Sequence, residues 1–392
     1  MKNFIITTLS IITLSQCIFS QNSISGVLKE VERNNTRLQA FQKKGIADKL
    51  ENKTGIFLEN PEIEYNYLWG NPEQIGNRTD FGIYQSFEFP LAYRYKKSIS
   101  SLKNKQIDIE YEKQWKEIRL HTKVLCLELI YTNAIATELN KRKADAEKIA
   151  MMYKTKFELG ESNLLDYNKA RLNLLNINKK AESHIIQRQA LLAELARQNG
   201  GIFILFNDSV YSGPSIPNNF ETWYVQSLQD NPDLELIKQE SEIGSVQVKL
   251  NRTLSLPKFK AGYMSEKVEN EEFRGISVGM SIPLWENRNT VKQARAHSLA
   301  LQSAENDTRI QIYNYLSMLY QKALRMKLSV ETYRKDLETF NNSVLLDKAL
   351  EKGEIGLIDY LLELSLYYDN IEQLLEMEKD MHIILAELHQ FE

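Results

Sequence analysis

Side chains able to do chemistry are sparse in this sequence. It holds five histidines and two cysteines in 392 residues. His382 and His389 come nearest to a metal-ligating pair. Seven positions apart on one helix face, they stand about 10 Å apart along the axis, too far for one ion unless another chain supplies ligands. Ordinary surface or seam histidines fit the same spacing. Neither Gly200-Gly201 nor Gly160 lies in a GxGxxG or Walker context, so no phosphate loop is present. The expectation is a chain that is not an enzyme and carries no cofactor or metal. What recurs is a glycine with acids behind it: Gly160-Glu161 followed by Asp166, and Gly353-Glu354 followed by Asp359. Glycine takes the positive φ of a sharp helix-to-helix turn. An acid just after such a turn favours the positive end of the next helix, whatever else it does.

These two sites belong to a tandem repeat. Gly160-Glu161-Ser162-Asn163-Leu164-Leu165-Asp166-Tyr167 recurs as Gly353-Glu354-Ile355-Gly356-Leu357-Ile358-Asp359-Tyr360, and Pro90-Leu91 recurs as Pro283-Leu284, both displaced by 193 positions. Asn35, Leu38 and Pro61 match Asn231, Leu234 and Pro257 at a displacement of 196. The implied organisation is a signal peptide at 1–20, a first repeat at 21–199, a connector at 200–219 rich in Gly and Pro, and a second repeat at 220–392. Each repeat reads as an amphipathic helix (Ile24 to about Lys49; Phe220 to about Arg252), two alternating segments, a very long helix, a glycine turn and a final helix.

Lys2, the apolar run Phe4 to Leu14 and Ser20 before Gln21 make the export signal. Leu14-Ser15-Gln16-Cys17 partly matches a lipoprotein signal, but Gln16 stands where Gly or Ala is wanted, so ordinary cleavage is the reading taken. Cys126 then remains alone and no intramolecular disulfide forms.

Composition limits the rest. The mean hydropathy is -0.41, and 49 basic against 52 acidic residues leave a formal charge of -3. That balance excludes nucleic-acid binding driven by overall charge. After the first 20 residues no apolar run reaches the roughly 20 residues of a membrane-spanning helix. With 16 Gly and 8 Pro the chain has few turns for its length. Between Arg94 and Phe157 there are none of either, and roughly 60 helical residues make about 90 Å of rod. Tyr111, Trp115, Ile118, Thr122, Leu125, Leu129, Thr132, Ala136 and Leu139, then Ala146, Ala150, Tyr153 and Phe157, give this helix a coiled-coil seam. Leu120, Val124, Leu127, Tyr131 and Ala134 form a second stripe. Two neighbours suit the wall of a helical tube, and an internal helix of a bundle accommodates them too.

The alternating segments have period 2. Ile63, Tyr65, Tyr67 and Trp69 oppose Glu62, Glu64 and Asn66. Phe81, Ile83, Phe87 and Phe89 oppose Gly82, Tyr84, Ser86 and Glu88. Ile276, Val278, Met280 and Ile282 oppose Gly275, Ser277, Gly279 and Ser281, and Phe259, Ala261 and Tyr263 give the weakest series. Such segments match outer-membrane barrel strands, apolar toward lipid and small or polar toward the lumen, or else amphipathic hairpins packed on a helix. Four strands do not close a barrel, and lipid tolerates no open edge. If these strands span a membrane, several chains pool them.

The order of elements, Asn231-Pro232-Asp233-Leu234, the Leu256-Pro257 lead-in, the strand end Ser281-Ile282-Pro283-Leu284-Trp285 and the Gly-x-x-x-x-x-Asp turns resemble the TolC-like outer membrane efflux protein family. The resemblance runs from about Ser23 to Phe391. It implies a mainly α fold with short β-strands: long coiled-coil helices in an α-barrel, and four strands per chain in the shared β-barrel of a homotrimer. The chain would sit in the outer membrane, contact its lipid and extend into the periplasm. It would serve as the exit duct of a tripartite efflux system with a periplasmic adaptor (membrane fusion) protein and an inner membrane pump. Gly160, Glu161, Gly353 and Glu354 become the adaptor-docking tips, and Asp166 and Asp359 gate residues that favour cations. Leu362 and Ile355 depart from the family pattern, where a second Asp and a basic residue stand. Glu161 and Glu354 are similar to the tips of the CzcC/CusC heavy-metal branch, which favours metal cations over drugs as cargo, and Glu62, Glu64 and Glu88 would make the barrel interior acidic. A type I secretion duct and a soluble periplasmic coiled-coil adaptor or scaffold are the alternatives.

Overall fold

The computed structural model describes residues 23–72 and 75–392; the signal segment 1–20 and Cys17 lie outside the described residues. The first structural event is a helix break. α1 (Ile24–Asn34) and α2 (Thr36–Glu51) occupy the stretch expected to be one helix. Asn35 separates them because its side chain competes with the helix for backbone groups. Its Oδ1 accepts from Leu38 N at 2.9 Å while its Nδ2 donates to the carbonyl of Gln198 at 2.7 Å. The second expected helix is split in the same way, into α5 (Phe220–Ser227) and α6 (Pro232–Leu254). Asn231 is the N-cap of α6, accepting from Asp233 N and Leu234 N at 3.0 and 3.1 Å, with Pro232 in the first turn where its missing N–H costs nothing. The matched pairs Asn35/Asn231 and Leu38/Leu234 are thus a cap and the first buried leucine after it.

β1 (Glu62–Leu68), β2 (Arg78–Phe87), β3 (Lys258–Val268) and β4 (Glu271–Ser281) form one antiparallel sheet in the order β1-β2-β3-β4. Pro61 and Pro257 immediately precede β1 and β3, as a residue without an N–H suits a strand's start.

α3 (Pro90–Glu158) is one uninterrupted helix of 69 residues. Ile118, Thr122, Leu125, Leu129, Thr132, Leu139, Ala146, Ala150 and Tyr153 of the expected seam are buried. Their spacing therefore marks a packed face. After a turn comes α4 (Leu164–Gln198). The second long helix differs: α7 (Thr290–Thr339) stops, α8 (Ser343–Glu351) restarts, and α9 (Leu357–Leu388) follows the glycine turn. The expected single helix is broken at Phe340-Asn341-Asn342, without Gly or Pro. Asn341 Oδ1 accepts from Ser343 N at 3.2 Å and from Ser343 Oγ at 2.7 Å, again a local bond that competes with helix.

The chain forms two compact units. One comprises Gln114–Ser227, Asn314–Glu392 and the described residues up to Gln39; the other comprises Ala40–Lys113 and Leu228–Tyr313. In the first, Val27, Val31, Leu129, Ile130, Leu195, Leu316, Leu319 and Leu388 are fully buried. The connector runs through this unit without regular structure, pinned by Phe206 in the core and by Arg188, which donates to Asn133 Oδ1 at 2.7 Å and to the Phe206 carbonyl at 3.2 Å. In the second, Ala92, Ile99 and Leu250 form a core with Tyr95, Ile243, Val246 and Leu254 around it, and this unit carries the sheet.

Candidate functional site: the hairpin turns and the sheet

Both glycine turns have the geometry their sequence demands. Gly160 and Gly353 have φ of 75° and 73°. Glu161 N donates to the carbonyl of Lys156 and Glu354 N to that of Ala349, each at 2.8 Å, so both helices end in the same six-to-one bond that satisfies an orphan carbonyl. No atom lies within 4 Å of where a Cβ would be at either glycine, so the requirement is the backbone conformation alone. A shared core of Ile149, Ala150, Tyr153, Ala170, Leu350, Leu357, Tyr360 and Leu364 holds the two turn regions together. Tyr360 adds a hydrogen bond to Asp347 Oδ1 at 2.7 Å.

The acids around these turns are not equivalent. Asp166 is engaged locally: Asn163 Oδ1 accepts from Asp166 N at 2.9 Å, Asn163 Nδ2 donates to Asp166 Oδ2 at 3.0 Å, and Lys169 lies 3.4 Å away. That is a helix-start arrangement with an acid in the first turn. Asp359 is exposed at the start of α9, where Gly356 offers no side-chain cap. Ile358, Leu362 and Leu366 beside it are exposed as well. Glu161 and Glu354 are exposed, the latter 4.0 Å from Lys352.

Sequence reasoning missed a charged cluster where α3 packs on α9. Arg142 of α3 has only 3% of its side chain exposed, yet it lies on the helix between seam positions 139 and 146. Its guanidinium reaches Glu372 of α9, donates to the Tyr368 carbonyl at 3.0 Å and stacks on the Tyr368 ring at 4.2 Å; Glu138 lies 3.5 Å from it. Burial of the charge is made tolerable by these partners. Burial also pushes the Tyr368 phenol up to about 12. Near the connector, His382 stacks on Tyr211 with ring centroids 4.6 Å apart, and burial lowers its pKa. Cys126 is buried and its thiol is pushed up to about 12, far from a reactive thiolate. Among the described residues no group of three or more His, Cys, Asp or Glu side chains is placed to hold a metal ion.

The sheet has two chemically distinct faces. Register aligns Ile63, Ile83, Tyr263 and Ile276 in one row, Phe87, Phe259 and Met280 in another, with Ala261 and Val278 between them and Tyr65 and Phe81 beyond. Ile276 is 84% exposed and Val278 78%. Phe87 stacks on Phe259 at 5.7 Å. Trp69, Phe89 and Ile282 fall just past the strand ends, Phe89 half-buried. Four such rows at about 3.3 Å per residue make an apolar band about 20 Å tall. Ser265 and Arg274 complete the Tyr65–Phe81 row on β3 and β4, and Lys267 and Glu272 lie beyond it, toward the β3–β4 hairpin. On the other face Glu62 pairs with Lys260 at 2.9 Å, and Glu88, next to the strand end, pairs with Lys96 at 2.7 Å. Two of the three carboxylates expected to acidify this face are therefore matched by a cation. The outer edges of β1 and β4 pair with no strand among the described residues.

No protein-family model matches the sequence, and no curated protein matches it. Solved structures do. The CusC channel superposes with a TM-score of 0.79 at 11% identity, over 95% of this chain and 92% of that one. The CmeC outer membrane channel of Campylobacter jejuni gives 0.75 at 15%, over 94% and 85%, and the outer membrane protein VceC of Vibrio cholerae 0.76 at 11%, over 94% and 95%. The chain has the fold of these outer membrane channels. The shared fold runs along nearly the whole chain, although few residues are identical. No described helix is long and apolar enough to cross a membrane.

Proposed function

We propose that the protein is the outer membrane exit duct of a tripartite efflux system, acting as a homotrimer. The observation that carries this reading is the sheet: an exposed apolar band on one face, charged and small residues on the other, and two open edges. In water that band is a liability and in lipid the edges are one. Pairing the β4 edge of one copy with the β1 edge of the next removes both, and three copies give twelve strands, within the range of closed barrels. A second support lies on α4, where Leu165, Leu172, Leu175 and Ile186 are exposed at heptad-compatible spacing. These positions suit a neighbouring copy.

In this reading the duct performs no chemistry and the inner membrane pump supplies the energy. Gly160, Glu161, Gly353 and Glu354 present the adaptor-docking surface, and Asp359 sits at the gate. Metal cations rank ahead of drugs as cargo because Gly160-Glu161 and Gly353-Glu354-Ile355 resemble the tips of the CzcC/CusC branch, and both glutamates stand exposed beside the turns. The pairing of Glu62 and Glu88 with lysines removes part of the acidic-lumen argument. The first test is purification from the outer membrane fraction as a heat-modifiable trimer that conducts ions in a planar bilayer. Recovery as a soluble periplasmic protein without conductance overturns the proposal. For the cargo, a deletion strain is expected to lose tolerance to zinc, copper or cobalt; loss of dye tolerance alone rejects the metal assignment.

A further inference from the structure

The polar face of the sheet carries two charged clusters: Arg78 with Asp80 and Glu266 toward the β3–β4 hairpin, and a second built on Lys260 among small residues. In the rows around it stand Gly82, Gly262, Gly275, Ser277 and Gly279. Tyr84 of β2 lies flat across two of these glycines. A Cβ at Gly82 would come within 2.5 Å of its ring, and one at Gly262 within 2.4 Å. Glycine is therefore required at both positions for the ring to lie down, since real Cβ contacts are never so short. Lys260 of β3 then crosses above the ring, its Nζ 4.3 Å from the ring centroid, and reaches Glu62 of β1 at 2.9 Å. One lysine thus spans three strands, supported by an aromatic face beneath and a carboxylate at its tip. In register the Glu62–Tyr84–Gly262–Ser277 row lies between the Ile63–Ile83–Tyr263–Ile276 row and the Gln85–Ala261–Val278 row of the opposite face. The cluster sits at the depth of the apolar band.

Resting on the trimeric-channel reading, we propose that Tyr84, Lys260 and Glu62 form a charged ring that sets the local potential of the barrel lumen. Three copies place three lysines and three glutamates in a ring, held at fixed height by tyrosines that the glycines keep flat. The neighbouring rows of the same face hold Gly82, Gly275, Ser86 and Gly279 with Glu64 and Met264, and the Arg78–Asp80–Glu266 cluster stands further along. Its paired charges make the lumen potential there a balance of opposite terms. Removing either partner tips that balance in opposite directions. A purely structural role for Tyr84, covering exposed glycine backbone, predicts no such opposed response.

The test reads the local potential without passing current through the rest of the duct. Ser277 shares the cluster's row and is converted to a reporter as Ser277→Cys, with the parent chain as control because Cys126 is buried. Rates of labelling from the extracellular side are measured with a cationic and an anionic water-soluble methanethiosulfonate. Lys260→Gln is expected to raise the cationic-to-anionic rate ratio by about threefold or more, and Glu62→Gln to lower it by a similar factor. Tyr84→Phe retains the ratio, and Tyr84→Ala moves it toward that of Lys260→Gln because the lysine loses its support. Ratios that stay within about twofold of the parent in both charge variants overturn the inference while leaving the channel intact. A reporter that neither reagent labels in the intact outer membrane overturns the lumen assignment, and the channel reading falls with it.

Discussion

A single backbone angle explains why both hairpin turns carry glycine. At φ near +75° any L side chain is strained by roughly 1–2 kcal/mol, and no neighbour supplies compensation or extra clash at Gly160 or Gly353. Gly160→Ala and Gly353→Ala are each expected to lower unfolding free energy by about 1 kcal/mol in urea melts, whereas Gly275→Ala, in open space at an ordinary φ, is expected to be neutral. Asp359 makes a functional prediction. With Asp166 occupied by Asn163 and Lys169, Asp359 is the freer acid of the pair, and Asp359→Ala is expected to raise conductance or weaken divalent-cation block while Asp166→Ala changes stability instead. Unchanged conductance and block in Asp359→Ala dispose of the gate assignment. His382 predicts a pH effect. Burial holds its native pKa below the ordinary value near 6.5, against the pull of Glu378, which also pairs with Arg334. As pH falls through that ordinary value the unfolded chain binds the proton first. Stability is thus full above about pH 7 and lost as the solution acidifies toward the native pKa. His382→Phe, which keeps the stack on Tyr211, is expected to flatten the change in Tm between pH 7.5 and 5.5.

At the scale of elements, asparagine is the residue that divides helices here. Asn35 and Asn231 cap the second helix of each N-terminal pair, and replacing either by alanine is expected to cost about 1 kcal/mol. Asn35→Ala is the costlier, since it also strips the carbonyl of Gln198 of a buried donor. Chemical denaturation of the two variants side by side checks the order. Arg142 ties α3 to α9 through Glu372 and the Tyr368 carbonyl. Glu372→Ala leaves a buried guanidinium with only Glu138 as a more distant ionic partner, and a loss of about 3 kcal/mol is expected. These elements also show where sequence reading is weak. The periodicities of α3 and of the four strands announce themselves because a buried helix face and a one-sided apolar sheet face each impose a period. The breaks at Asn35 and at Phe340–Asn342 have no period, and a lone polar residue reads equally well as solvent-facing helix.

At the scale of the whole molecule, the proposed trimer would cover the open sheet edges and the exposed leucines of α4. The exposed leucines of α4 make this testable apart from the membrane. Leu172→Glu with Leu175→Glu is expected to leave the helical circular dichroism of detergent-purified protein unchanged and to convert trimer to monomer in light scattering. A trimer that survives the double substitution removes α4 from the interface.

The sequence by itself showed the matched segments, the four strands with their two-faced pattern, the long helix and the glycine turns, because each is written in spacing or residue type. It also singled out Asn35, Leu38 and Pro61 as matched positions without saying why. Tertiary structure decided what those positions do, one as cap, one as first core leucine, one as the residue entering a strand. It decided that Arg142 is buried between seam positions and that Asp166 and Asp359, at matched positions of the two turns, differ in engagement. It also matched Glu62 and Glu88 with Lys260 and Lys96. Those pairings join residues 8 to 198 positions apart. No periodicity encodes them, because a charge finds its partner only after the backbone has brought distant strands and helices together.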